Sequence, residues 1–158
     1  MSQALRNERI PVGAATLSVD LCGTGEAVVL LPSWARGTPD FADLMATLAE
    51  SGFRAIAVNP RGIEGSTGAL NGITVHDLAA DVAGVLEALD AVPAHIIGHA
   101  FGNRIARCLA TDRPALVKTV VLLAAGGLVA PQRETFAALE RTFTVDLSDV
   151  EWLSAIRT

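Results

Sequence analysis

The sequence predicts an α/β fold on a mostly parallel sheet, and two observations carry that expectation. Short β-branched runs alternate with amphipathic stretches, and runs such as Ala27-Val28-Val29-Leu30-Leu31 are continuously apolar. A strand buried on both faces reads this way, and such strands belong to parallel sheets covered by helices. The second observation is composition. Hydrophobic residues make up 51% of the 158, charged residues 18%, and mean hydropathy is +0.42. That is enough apolar surface for one domain of ordinary size to offset its chain entropy, which excludes a disordered chain.

The elements follow in order. Glu8 to Val12 and Thr16 to Leu21 read as an antiparallel hairpin at one edge, and Ala27 to Leu31 as the first parallel strand. Thr38-Pro39 is expected to open a helix with Thr38 as N-cap. Phe41, Leu44, Met45 and Leu48 form its apolar stripe and Gly52 ends it. Arg54 to Val58 is the next strand. Thr74 and Asp77 have capping-box spacing ahead of a helix whose apolar face is Leu78, Val82, Val85, Leu86 and Leu89. Ala94 to Ile97 is a third buried strand, Asn103 to Ala110 a third helix and Thr119 to Leu123 a fourth parallel strand. Strand–helix–strand repetition of this kind gives a parallel sheet with right-handed crossovers. Residues 1–130 are expected to form this core. Residues 131–158 carry two helical stretches with no following strand, the start of a helical lid or cap segment, so the sheet is expected to be incomplete on its C-terminal side.

Charge and cysteine usage narrow the partners. Lys and Arg number 12 and Asp and Glu 17, giving a net charge of −5 and a pI near 5.1. Neither nucleic acid nor an anionic membrane surface is an expected partner. Cys22 and Cys108 suggest two buried thiols rather than a disulfide framework or a metal site, and a single bridge between them stays open. Met1 to Arg9 has no apolar stretch, and the run Val117 to Ala130 is broken by Lys118, Thr119, Gly126 and Gly127. The expectation is a cytoplasmic protein with no cofactor and no metal.

The most informative segment is His95-Ile96-Ile97-Gly98-His99-Ala100-Phe101-Gly102-Asn103-Arg104. A buried strand runs through a Gly-x-x-x-Gly turn directly into a helix. In a Gly-x-Ser-x-Gly nucleophile elbow the small flanking residues allow that sharp turn, and the central residue is held strained and exposed to substrate. Here both glycines, Gly98 and Gly102, are in place and the central residue is Ala100.

Over residues 8–130 the chain resembles the N-terminal portion of the α/β-hydrolase superfamily, which includes esterases, epoxide hydrolases and haloperoxidases. Leu30-Leu31-Pro32-Ser33-Trp34 lies where that family has its oxyanion loop. Asn59-Pro60-Arg61-Gly62-Ile63-Glu64-Gly65-Ser66 resembles its D-x-R-G-x-G-x-S loop. The resemblance implies that the backbone N–H groups of Trp34 and Phe101 form an oxyanion hole; the alternative is that both residues simply line an apolar pocket. It also implies that Gly98, His99 and Gly102 build the elbow.

The departures carry equal weight. Ala100 stands where the family places Ser, Asp or Cys, and a methyl group cannot attack a carbonyl. Pro32-Ser33 replaces the family's His-Gly, and the family's acid and histidine come from later strands. Natural divergence and an engineered Ser-to-Ala change both account for Ala100. His99 and His95 are expected to be structural, and His76 a solvated helix-start residue. Ser33 could replace the nucleophile only with a partnered base, Arg61 and Glu64 could pair with each other, and Arg104 is expected to order a neighbouring loop. The function this implies is a truncated hydrolase-like protein, not hydrolytic by itself. One alternative is a module that binds a small apolar molecule or forms a homo-oligomer through an open sheet edge. The other is an ester- or epoxide-type hydrolase completed by a longer or second chain.

Overall fold

A computed structural model describes residues 4–126 and the isolated positions 133, 134, 137 and 148. Every element below lies in the unit Met1–Ala125. The expected lid or cap over 131–158 lies outside the described residues apart from those four positions.

Six strands form one sheet: β1 (Arg6–Val12), β2 (Ala15–Cys22), β3 (Glu26–Leu31), β4 (Phe53–Val58), β5 (Ala94–His99) and β6 (Val117–Leu123). Their spatial order is β1-β2-β4-β3-β5-β6. The hairpin pairs antiparallel and joins the rest through β2 against β4, with Val19 opposite Val58. β3, β4, β5 and β6 run parallel. The sheet is therefore mixed and mostly parallel, with an antiparallel N-terminal pair, as the sequence predicts. β3 lies between β4 and β5, and Ala27 through Leu31 are all buried, so the unbroken apolar run reflects cover on both faces.

Period-two alternation along β3 divides the core. Val29 and Leu31 join a cluster with Val82, Val85 and Leu86 of α2 (Val75–Ala88) and Ile105, Ala106 and Leu109 of α3 (Gly102–Asp112). Val28 and Leu30 join another with Phe41 and with Met45 of α1 (Ala42–Glu50). The capping box at α2 is complete: the Asp77 N–H bonds the Thr74 hydroxyl, and the Thr74 N–H donates to the Asp77 carboxylate at 2.8 Å.

The expected cap at Thr38 is corrected. Gly37 is the N-cap of a short 3₁₀ turn, Thr38–Phe41, and the turn has no side-chain cap of its own. The Thr38 hydroxyl instead donates to Asp20 and accepts from Asn59 Nδ2, while its backbone N–H donates to Asn59 Oδ1 at 2.9 Å. Tertiary partners outcompete the local cap because Asp20 on β2 and buried Asn59 just beyond β4 need hydrogen-bond partners there. No helix among the described residues is long and apolar enough to cross a membrane.

Candidate functional site

β5 passes into α3 through Ala100, whose φ of 48° places an L-residue in the left-handed region. That conformation costs about 1–2 kcal/mol for a residue bearing a Cβ, so packing must enforce it. The enforcement is visible. The Ala100 N–H donates to Leu123 O at 2.9 Å, and Ala100 O accepts from the Asn103 N–H at 3.1 Å. Backbone crowds in from both sides: a Cβ on Gly102 would lie 2.2 Å from Leu31 O, and one on Gly98 would lie 2.5 Å from Gly102 O. Both glycines are therefore required by close approach, and the start of α3 rests directly on the end of β3. Asn103 reinforces the turn by donating from Nδ2 to Leu123 O at 2.8 Å. Its Oδ1 is buried with no hydrogen-bond partner among the described residues.

Beside this turn, the Trp34 and Phe101 rings meet edge to face at 5.0 Å and 82°. With Ser33, Ile63, Leu70 and Ile73 they line a cavity of about 300 Å³. Its lining is mostly apolar, the usual character of a small-molecule pocket. Trp34 is 64% exposed, so the cavity opens to solvent on that side. A helix start usually leaves its first N–H groups open, but here the Asn103 and Arg104 N–H groups are already bonded to Ala100 O and Phe101 O at 3.1 and 2.9 Å.

Arg61, at the cavity wall, does not pair with Glu64. Its Nε and Nη2 grip the two oxygens of Asp81 at 2.7 and 2.8 Å, and Nη1 donates to Ala69 O. The Asp81 hydrogen bond raises the Arg61 guanidinium above its ordinary value. Asp81 is the site residue that sequence reasoning missed. Its signal was a carboxylate between Leu78 and Val82 on the buried face of α2, where only a paired acid is tolerated.

The histidines fall in three separate places. His95 Nε2 faces the accepting Glu26 carboxylate at 3.2 Å and Nδ1 lies 2.7 Å from the Thr119 hydroxyl, with the Phe53 ring edge-on. His99 is half-buried and lines a second groove with Asp40, Phe41, Leu44 and Leu123. There the Asp40 carboxyl is held below its ordinary value by the Arg36 hydrogen bond, with a smaller contribution from His99. His76 is exposed but not merely solvated: its Nδ1 lies 2.6 Å from Asp112 Oδ2 and 3.1 Å from Cys108 Sγ. Arg104 is exposed on α3.

The alpha/beta hydrolase fold family matches residues 26–153. The chain belongs to that family. Among curated hydrolase-fold relatives, it is 36% identical over 100 residues to a putative carbamate hydrolase of Variovorax paradoxus, covering 63% of this chain and 38% of the relative. It is 33% identical over 125 residues to a putative non-heme bromoperoxidase of Mycobacterium tuberculosis, covering 78% and 47%. Among solved structures, an epoxide hydrolase from Vigna radiata superposes with TM-score 0.75 at 19% identity, over 81% of this chain and 41% of that one. Potato epoxide hydrolase superposes with TM-score 0.73 at 24% identity, over 97% and 46%. These structural likenesses show the shared fold. The chain spans less than half the length of each of these hydrolase-fold proteins.

Proposed function

We propose that the chain binds a small, largely apolar carbonyl compound beside the β5–α3 turn and does not turn it over through a covalent intermediate. In this reading the turn is the family's nucleophile elbow, Trp34 and Phe101 supply the oxyanion-hole N–H groups, and the aromatic cavity takes the apolar part of the ligand. The observation that carries it is Ala100, held at φ 48° between two close-packed glycines with only a methyl group to present. In this reading the sharp turn is kept for the N–H donors it would present, while the atom that would attack is missing. His76 and His95 are engaged elsewhere, so neither stands as a base beside position 100.

The test uses the purified chain. Phenylacetamide, an unreactive aryl amide, is expected to quench Trp34 fluorescence saturably, with the signal lost in Trp34→Phe and weakened in Phe101→Ala. p-Nitrophenyl acetate and styrene oxide are expected to show no turnover above a heat-inactivated control. Turnover of either compound, or quenching that never saturates, overturns the reading. Ala100→Ser is expected to stay unreactive toward an organophosphate.

A second reading rests on β6, the parallel one of the two edge strands among the described residues, where Val121, Leu122 and Leu123 are 39–43% exposed. An exposed apolar edge is a template for pairing, here with a second copy of the chain. Sedimentation equilibrium is expected to show a concentration-dependent dimer that Val121→Lys disrupts; a monomer at every concentration removes this reading.

A further inference from the structure

Three donor atoms of three different kinds converge on one place on the α2–α3 face. His76 Nδ1 and Asp112 Oδ2 are 2.6 Å apart, His76 Nδ1 and Cys108 Sγ 3.1 Å, and Cys108 Sγ and Asp112 Oδ2 3.3 Å. Cys108 and Asp112 are four residues apart on α3, which puts them on one helix face. His76 reaches across from the first turn of α2. The place is separate from the turn at Ala100: Cys108 and Asp112 lie about 9 and 15 Å along α3 from Gly102, at about 1.5 Å per residue.

The same atoms could suggest a Cys–His–Asp nucleophilic relay, but the geometry is wrong for one. A relay uses the two ring nitrogens separately, one toward the nucleophile and one toward the acid. Here Nδ1 alone faces both partners, and all three atoms close a triangle. Burial, together with the Asp112 carboxylate, also pushes the Cys108 thiol up to about 11, which makes it a poor nucleophile at neutral pH.

We propose that His76, Cys108 and Asp112 bind a zinc-class divalent metal ion, with water completing its coordination. A nitrogen, a sulfur and a carboxylate oxygen form a donor set that such borderline ions accept. Tetrahedral bonds of about 2.0–2.3 Å hold donor atoms roughly 3.3–3.6 Å apart, so the two sides that meet at Cys108 Sγ open by a few tenths of an ångström and the 2.6 Å side between His76 Nδ1 and Asp112 Oδ2 by roughly 0.7–0.8 Å. The His76 side chain is 72% exposed and has room to make that movement. Its exposure also leaves the fourth position open to water. The proton balance is definite. In the metal-free cluster the thiol and Nδ1–H both point at the Asp112 carboxylate. On binding, the thiol proton leaves to solvent, the imidazole proton moves to Nε2, and sulfur, nitrogen and oxygen each donate a lone pair to the metal. The site then ties the first turn of α2 to the second half of α3.

Titration of the metal-free, phosphine-reduced chain with Co²⁺ tests this directly. The expected result is a thiolate-to-cobalt charge-transfer band that saturates at one equivalent, is displaced by Zn²⁺ and is absent in Cys108→Ser. His76→Gln, at an exposed position, is expected to weaken cobalt binding while leaving the far-ultraviolet dichroism unchanged. Zn²⁺ is expected to raise the unfolding midpoint of the wild-type chain and not that of Cys108→Ser. Absence of the band, its survival in Cys108→Ser, or unchanged affinity in His76→Gln overturns the proposal.

Discussion

The two ends of α3 are built on opposite terms. At its start the backbone is strained and crowded: Ala100 sits at positive φ, Gly98 and Gly102 leave no space for a Cβ, and Asn103 is buried. The side chain presented there is a methyl group. In its second half the backbone is ordinary helix and largely exposed, yet Cys108 and Asp112 meet His76 in a chemically rich cluster. The contrast teaches that the geometry of a site and its reactive groups are separable. A strained turn persists only where packing over-determines it, whereas a surface cluster needs only helical spacing and one neighbour.

Four substitutions would break or sharpen that contrast, each read by equilibrium urea unfolding. The largest effect is expected from Gly102→Ala, because the added carbon meets Leu31 O at 2.2 Å and Pro32 O at 2.9 Å. Neither carbonyl belongs to a flexible side chain, so the loss should be about 3 kcal/mol or more; a loss under about 1 kcal/mol would mean the turn is loosely held. Arg61→Ala comes next, since it strands the Asp81 carboxylate, whose side chain is only 7% exposed. With Arg61 at a cavity wall open to water, roughly 2–3 kcal/mol is expected. Ala100→Gly should act in the other direction, relieving the positive φ and stabilising the chain by about 1 kcal/mol; destabilisation would show that the methyl group packs against something needed. Cys108→Ser in metal-free protein should change stability least, by about 0.5 kcal/mol or less. A larger loss would show that the second half of α3 is as tightly determined as the first.

Legibility in the sequence followed the range of the interactions. The capping box at Thr74 and Asp77 was readable because it closes within one turn. The Gly-x-x-x-Gly turn was readable for the same reason, together with the buried strand before it and the helix after it. Thr38 was misread as a cap because its actual partners, Asp20 and Asn59, lie 18 and 21 residues away. The Arg61–Asp81 pair spans 20 residues and an intervening loop, so the nearer Glu64 looked the better partner. Asp81 still left a trace, as a lone carboxylate on an apolar helix face. The cluster on α2 and α3 was not legible, since only the four-residue spacing of Cys108 and Asp112 is local and His76 is 32 residues from Cys108.

The sequence by itself determined the α/β class, the order of strands and helices, the antiparallel start and the position of the turn around Ala100. Each of these is written in local periodicity, in glycine placement or in a cap, and those signals act over a few residues. Only the tertiary structure decided that β3 lies between β4 and β5 and that Leu31 closes on Gly102. It also decided that Asp81 holds Arg61 and that a histidine, a thiol and a carboxylate share one corner of the helical face. Those outcomes depend on which surfaces meet when the sheet closes, and no local pattern records the distance between residues that meet only through packing.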